Sequence, residues 1–312
     1  MSNILVVFGA TGHQGKSVIQ TVLHDPTLSQ TYKIRAVVRD PSSAKAQALG
    51  DKVEVVQGDL TDRESVSKAL TGAHTVFFTT VPSWDAEKDR DFEWGCGTTV
   101  ADLAVAQGLQ YIVFSTLPAV NAMSGGKYSK VTVFDVKAEI EDYIRKLPIK
   151  SAFVSLANYM ENFEEQFFLK PQLDADGNWV VKRSYGLDIK WPLIAADADT
   201  GKWVGAILAE PEKFEGKRLH CATQVLTYGE VIALLEKSAG KKIVYQQVSK
   251  EEFREILPAL QDVFIDMAGW VSESEYFGPG QEGLVEEAKG VARGKLTTFE
   301  EFLEKHPFTL DA

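Results

Sequence analysis

The sequence predicts an α/β fold, a Rossmann-type doubly wound parallel sheet with a smaller α/β C-terminal domain. Three observations predict it. Short apolar runs alternate with segments of helical period through the first half, a glycine-rich turn joins the first run to the first helical segment, and later runs end in polar residues. Runs without a polar alternate face are what strands buried on both sides of a parallel sheet require, and helix-connected parallel strands cross over with a right hand.

The elements follow in order. Ile4–Phe8 is a continuous apolar run ending at Gly9, and Lys16–Leu23 places Val18, Ile19, Val22 and Leu23 at helical spacing. Lys33–Val38 is the second strand, followed by a helix start at Pro41-Ser42-Ser43. Val53–Val56 is the third strand, and Thr61-Asp62-Arg63-Glu64 reads as a capping box ahead of Val66, Ala69 and Leu70. Thr75–Thr79 is the fourth, followed by a long helix over 85–107 that Gly108 stops. Tyr111–Phe114 is the fifth, Val133, Val136, Ile140, Ile144 and Leu147 form one helical stripe, and Ala152–Ser155 is the sixth. Beyond Leu156 the rhythm changes. Asp174 to Gly177, flanked by Leu173 and Trp179-Val180-Val181, is a hairpin signal. Thr227–Ala239 reads as a helix ended by Gly240, Ile243–Val248 as a strand, Glu251–Ile256 and Thr298–Glu304 as helices, and Tyr276–Gln281 as a loop. The expected division is a dinucleotide-binding domain over 1–155 and a smaller domain over 156–312 that completes a cleft, with some segments returning to the sheet.

Composition sets outer bounds. The chain has 312 residues, 33 basic and 44 acidic, for a net charge of −11; at about 150 residues per domain, two domains are the prior. Apolar content of 45% and charged content of 25% exclude collagen-like, disulfide-scaffold and globally disordered classes. The acidic balance, without zinc-finger spacing or a long basic helix, argues against direct nucleic-acid binding. Cys96 and Cys221 form no metal-ligand or CxxC spacing and are expected to be buried free thiols. The N-terminus has no basic region before its short apolar run, and no stretch approaches about 18 apolar residues, so neither a signal peptide nor a membrane span is expected. The expected compartment is the cytoplasm, with the nucleus as a second location.

Gly9-Ala10-Thr11-Gly12-His13-Gln14-Gly15 lies between a buried strand and an amphipathic helix, which is the context a pyrophosphate-binding turn needs. Gly9 permits the tight turn, Gly12 lets the backbone approach the anion, and Gly15 lets helix and strand pack closely. The helix N-terminus presents free N–H groups to the phosphate, and His13 could add a hydrogen bond or be a plain loop residue. NAD-binding versions place an acidic residue about 20 positions further on, against the ribose. Here Arg39 stands in that place, suited to a 2′-phosphate, so NADP(H) is preferred over NAD(H). Asp40 dissents, because pointed inward it would serve NAD; Arg35 and Lys45 read as solvated surface charges. Asp59 and Leu60 after the third strand would border the adenine, while Thr79, Thr80 and Val81 after the fourth and Ser115 after the fifth line the same crevice. Asn158, Tyr159 and Glu161 follow the sixth strand near the expected nicotinamide end, where they would bind substrate, position a loop or cap a helix. Trp84, Phe92 and Trp94 read as cleft wall or core.

Gly9–Gly15, Val38-Arg39-Asp40-Pro41, Gly58-Asp59-Leu60, Tyr111–Ser115 and Ala157–Phe163 together resemble the atypical short-chain dehydrogenase/reductase superfamily, and within it the NmrA-like family. The resemblance covers nearly the whole chain. It implies a Rossmann domain, a smaller C-terminal domain and a cleft between them. Active members of the superfamily carry Tyr-x-x-x-Lys, in which the tyrosine gives up its proton and the lysine, on the same helix face, lowers its pKa and holds the nicotinamide ribose. Lys137 matches, but Val133 occupies the tyrosine position. The resemblance therefore implies cofactor binding used for redox sensing, by a regulator that contacts other proteins such as a transcription factor, with Lys137 as a cofactor contact. The alternative is an NADPH-dependent oxidoreductase acting on a small-molecule carbonyl, enone, imine or quinone, with Lys137 and either Tyr128 or Tyr159 as catalytic residues. A scaffold that has lost the cofactor is the third reading, opposed by the intact glycine loop. No metal site is expected.

Overall fold

The computed structural model describes residues 2–82, 89–166 and 170–310. The first half runs β1 (Asn3–Phe8), α1 (His13–His24), α2 (Leu28–Thr31), β2 (Tyr32–Val38), α3 (Ala44–Gln47), β3 (Val53–Gln57), α4 (Arg63–Leu70), β4 (Thr75–Phe78), α5 (Asp89–Ala106), β5 (Tyr111–Thr116), α6 (Val120–Met123), α7 (Thr132–Ile144) and β6 (Lys150–Leu156). The second half runs β7 (Asn158–Tyr159), α8 (Asn162–Glu165), β8 (Gln172–Leu173), β9 (Trp179–Arg183), β10 (Lys190–Ile194), α9 (Ala196–Ala209), α10 (Pro211–Phe214), β11 (Arg218–Cys221), β12 (Gln224–Thr227), α11 (Tyr228–Ala239), β13 (Ile243–Gln247), α12 (Lys250–Ile256), α13 (Gln261–Ser274), α14 (Gln281–Lys289) and α15 (Phe299–Lys305).

Seven strands form one parallel sheet in the order β11-β6-β5-β4-β1-β2-β3. Its central strands carry apolar side chains on both faces because helices cover both. Leu5, Val7, Phe77 and Val113 pack under α1 and α9 on one face, whereas Val6, Phe78, Ile112 and Phe114 pack under α4, α5 and α7 on the other. Each fully buried Val, Leu or Phe contributes about 1.5–3 kcal/mol, so a polar residue on either face would cost stability. Two three-stranded sheets, β12-β10-β7 and β13-β9-β8, lie outside the main one. A second core under them gathers Met160, Tyr185, Tyr228, Phe253 and Phe299. The 174–177 hairpin joins β8 to β9 with Gly177 at φ 82°, and Gly240 ends α11 in the left-handed conformation.

Sequence expectation and structure part at several places. The capping box over 61–64 does not form: Asp62 is the N-cap of α4 and accepts from the Glu64 N–H at 2.9 Å, while Thr61 donates to Asp59. The helix stripe that includes Leu147 stops at Ile144, and Leu147 packs beside it from a turn. The start expected at 85 lies outside the described residues, as does Trp84; α5 is described from Asp89 and Gly108 ends it at φ 73°. Phe92 is partly exposed, and Trp94 packs edge-on against Tyr143. Arg35 is not a solvated charge. It pairs with Glu54 at 2.9 Å and donates to the Ala69 and Thr71 carbonyls at the end of α4.

The return of a later segment to the sheet is expected from the sequence, but the residues that form the seventh strand are not legible in it. β11 joins β6 in parallel after a long excursion of the chain, and Arg218 pins it to α7 through the fully buried Glu141 carboxylate at 2.7 Å. Just before it, α9 lies on α1, with Gly201 and Gly205 facing Ser17 and Thr21. Cys96 and Cys221 are buried free thiols. No helix of the described residues is long and apolar enough to cross a membrane.

Candidate functional site

The sheet order reverses between β1 and β4, since β1 leads outward to β2 on one side and β4 to β5 on the other. In open α/β sheets ligands sit at that crevice, outside the carboxyl ends of the strands. A cavity of about 410 Å³ lies elsewhere, at the amino ends against Asn3, Thr75, Tyr111 and Lys150, away from the residues that could do chemistry.

The turn after β1 is built by its glycines. Gly9 adopts φ 64°, and a Cβ on Gly15 would stand 2.3 Å from the Gly9 carbonyl oxygen, so only glycine lets α1 start this close to β1. At Gly12 a Cβ would meet nothing nearer than 3.4 Å, and no side chain caps α1. The helix N-terminus therefore offers uncapped main-chain N–H groups beside an unobstructed glycine surface, a cradle for a pyrophosphate. The residues present fit a dinucleotide.

Side chains of the same turn reach across to the C-terminal half. His13 Nδ1 lies 2.8 Å from Asp197 of α9, and Nε2 lies 3.2 Å from Glu165 of α8. The Asp197 hydrogen bond raises the imidazole to about 9, against burial that opposes it and with the charges of Asp197 and Glu165 adding to it. Lys16 also pairs with Asp197 at 3.1 Å. Both ring nitrogens of His13 are thus engaged by carboxylates. Gln14 donates through Nε2 to the Tyr159 hydroxyl at 2.6 Å, and its buried Oε1 is left without a partner. Tyr159 is half-buried, and burial raises its phenol to about 12. It borders a hollow of about 20 Å³, room for one water.

Glu161 accepts the Ala196 and Asp197 N–H groups, at 3.1 and 2.9 Å, and so caps α9. His13, Glu161 and Asp197 bring ligand-type atoms within 4.8 Å of one another. Both Glu161 oxygens already serve the helix and His13 holds a proton, so the cluster is an ion-pair clasp with no argument for a metal.

In the turn after β2 Arg39 is exposed and has no ion pair among the described residues, while Asp40 is turned into its own loop, accepting from the Ser42 N–H and hydroxyl at 2.8 and 2.6 Å. Asp59 likewise accepts from Thr61, and Leu60 packs half-buried on the sheet. At the other side Thr79 is half-buried, Val81 is 60% exposed after β4, and Ser115 is buried. Thr80 and Lys137 both donate to one oxygen of Glu93, a carboxylate of α5 that is fully buried. Lys137 is held over the end of β5, where its carbonyl accepts from Thr116 at 3.2 Å. Val133 occupies the preceding turn of α7. Tyr128 packs its ring on Gly269 of α13 and its hydroxyl faces Glu273, whereas the Lys137 ammonium meets Glu93. Asn158 donates to the Pro192 carbonyl at 3.3 Å and so ties β7 to β10.

The NmrA-like family model matches residues 1–303. The chain belongs to the NmrA-like family. A Cladobotryum sp. relative, the NmrA-like family domain-containing oxidoreductase FrzB, is 30% identical over 96% of this chain and 92% of its own. The solved structure of NmrA, a negative transcriptional regulator in complex with NADP, superposes with a TM-score of 0.79 at 22% identity, covering 98% of this chain and 95% of that one; the same regulator is also solved with NAD. The Citrobacter sp. triphenylmethane reductase complexed with NADP(H) gives 0.75 at 23% identity over 98% and 99%. Regulator and reductase thus share this fold, and the NmrA-like chain has a nicotinamide-dinucleotide fold whose use its fold alone leaves open.

Sequence reading missed Glu93, Glu165 and Asp197 as members of the NmrA-like site. A signal for Glu93 existed: Val100 and Ala104, seven and eleven residues on, put it on the buried stripe of its helix, where a lone carboxylate needs a partner. Asp197 stands in the first turn of α9, where an acidic residue complements the helix dipole, but nothing local links it to His13.

Proposed function

We propose that this chain binds NADP(H) in the crevice and serves as a redox-sensing regulator, passing the state of the bound dinucleotide to a partner protein such as a transcription factor. The observation that carries this reading is the α7 face: Val133 stands where a proton donor would be, and the ammonium of Lys137 is taken up by the buried Glu93. When bound, reduced nicotinamide supplies a hydride. Reduction of a carbonyl also needs a proton at the oxygen, and a valine holds none. Lys137, paired with Glu93, would contact the ribose of a bound dinucleotide and has no phenol one turn away to activate.

The preference for NADP(H) is supported at Arg39 and Asp40. Arg39 presents a guanidinium without an ion pair among the described residues at the end of β2, and Asp40 spends its carboxylate on the Ser42 turn. Calorimetry with NADPH, NADP⁺, NADH and NAD⁺ tests both points, followed by an NADPH-consumption screen over carbonyls, enones, imines and quinones. The expected outcome is dinucleotide binding without turnover. In Arg39→Ala the NADP⁺ affinity should fall about ten-fold or more, the size of a lost charge-assisted hydrogen bond, with NAD⁺ affinity unchanged. Equal losses for both would remove Arg39 from the 2′-phosphate.

Efficient turnover would favour the second reading, an NADPH-dependent reductase with a non-standard donor. Its support is Tyr159, a protonated phenol hydrogen-bonded to Gln14 of the phosphate turn at 2.6 Å. Tyr159→Phe should then cut the rate; an unchanged rate would discard that assignment.

A further inference from the structure

The Glu93 carboxylate is fully buried, yet only one of its oxygens is used. Oε1 accepts from both the Thr80 hydroxyl and the Lys137 ammonium, while Oε2 is buried and has no hydrogen-bond partner among the described residues. Buried carboxylate oxygens are costly to leave unmatched, so an orphan at a ligand crevice points to a donor that arrives with the ligand. Thr80 follows β4, and Lys137 hangs over β5 through the Thr116 contact. The pair therefore stands on the β4–β5 side of the switch point, opposite the Arg39 side, where the second nucleotide of a dinucleotide lies.

We propose that Glu93 is a cofactor-binding residue that reads the nicotinamide ribose, accepting a hydroxyl hydrogen on Oε2 while Lys137 donates to the neighbouring hydroxyl. A vicinal diol offers both donor and acceptor, and a carboxylate beside an ammonium offers the matching acceptor and donor. Acidic residues read the adenosine ribose in NAD-binding folds by the same chemistry. Here Arg39 displaces the acid from that end, and Glu93 supplies one at the other. The inference rests on the dinucleotide reading above, but not on whether the protein is a regulator or an enzyme.

Three probes isolate the contact in calorimetry on the full chain. NADP⁺ carries the second ribose, 2′-phospho-ADP-ribose carries it without nicotinamide, and 2′,5′-ADP lacks both. Glu93→Gln keeps the side-chain shape and removes the acceptor charge. NADP⁺ and 2′-phospho-ADP-ribose should bind about ten-fold or more weakly, from a lost hydrogen bond to a charged group, while 2′,5′-ADP is unchanged. A purely structural Glu93 would shift all three alike or none, and either result overturns the proposal. Because an unpaired Lys137 can unfold the variant, Lys137→Met and Glu93→Gln/Lys137→Met provide the second arm, compared with each other so that the loss of the Lys137 contact cancels. The step to Gln should again weaken NADP⁺ and 2′-phospho-ADP-ribose but not 2′,5′-ADP, and equal binding of all three probes to these two variants would again overturn it. Failure of the wild type to bind NADP⁺ would refute the dinucleotide reading itself, an outcome separate from those two.

Discussion

His13 is the residue at which the phosphate turn meets the other half of the chain. Its proton is held by Asp197 and Glu165, with Glu161 close behind and Lys16 sharing Asp197. A histidine raised to about 9 when folded, from about 6.5 unfolded, stabilises the protein fully below pH 6.5 and loses that contribution as the pH climbs through 9. In Asp197→Asn the main hydrogen-bonded charge is gone, so the imidazole should titrate nearer the ordinary value and the alkaline loss of stability should shrink. An NMR titration of the ring nitrogens, with thermal melts from pH 6 to 10, reads both. A wild-type His13 titrating near 6.5 would remove the clasp. Glu93 differs from His13 in kind: it keeps a buried, unused oxygen, whereas His13 has both nitrogens committed.

Among the elements, the contact of α1 with α9 depends on missing side chains. A Cβ on Gly201 would lie 2.2 Å from the Ser17 carbonyl oxygen and 2.3 Å from the Thr21 hydroxyl. The first obstacle is backbone, so it cannot swing aside. Gly201→Ala should push α9 off α1 and destabilise the protein by about 1–3 kcal/mol, as overpacking does. Chemical denaturation measures it, and a change within about 0.5 kcal/mol, the range of neutral surface substitutions, would contradict the close approach. Because Asp197 lies one turn earlier on α9 and His13 opens α1, the same displacement should loosen the clasp and weaken dinucleotide binding. The helix α9 thus links packing to function.

At the scale of the whole molecule, the sheet is assembled from both halves of the chain. The first six strands were readable because each is a local apolar run bounded by a turn or a cap, and the glycine turn was readable because Gly9 and Gly15 answer to backbone and steric demands within seven residues. β11 was not readable: Arg218–Cys221 is a short Arg-Leu-His-Cys segment whose strand character comes from the edge of β6 and from Glu141 on α7. Spacing puts Arg39 and Asp40 in the turn after β2, but only the Ser42 hydrogen bonds decide where Asp40 points. Trp84 lies outside the described residues.

The amino-acid sequence by itself determined the parallel sheet and the glycine turn after β1, because periodicity and glycine sterics act over a few residues; the valine at position 133 stood out only through the family resemblance, whose active members carry a tyrosine there. Only the tertiary structure decided that Lys137 answers to Glu93, that His13 answers to Asp197 and Glu165, and that a seventh strand closes the sheet. Those partners lie 44, 184 and 152 residues apart for the three side-chain contacts. Attraction between buried charges depends on distance in space, and a chain that folds back on itself sets that distance without leaving a mark in the local pattern.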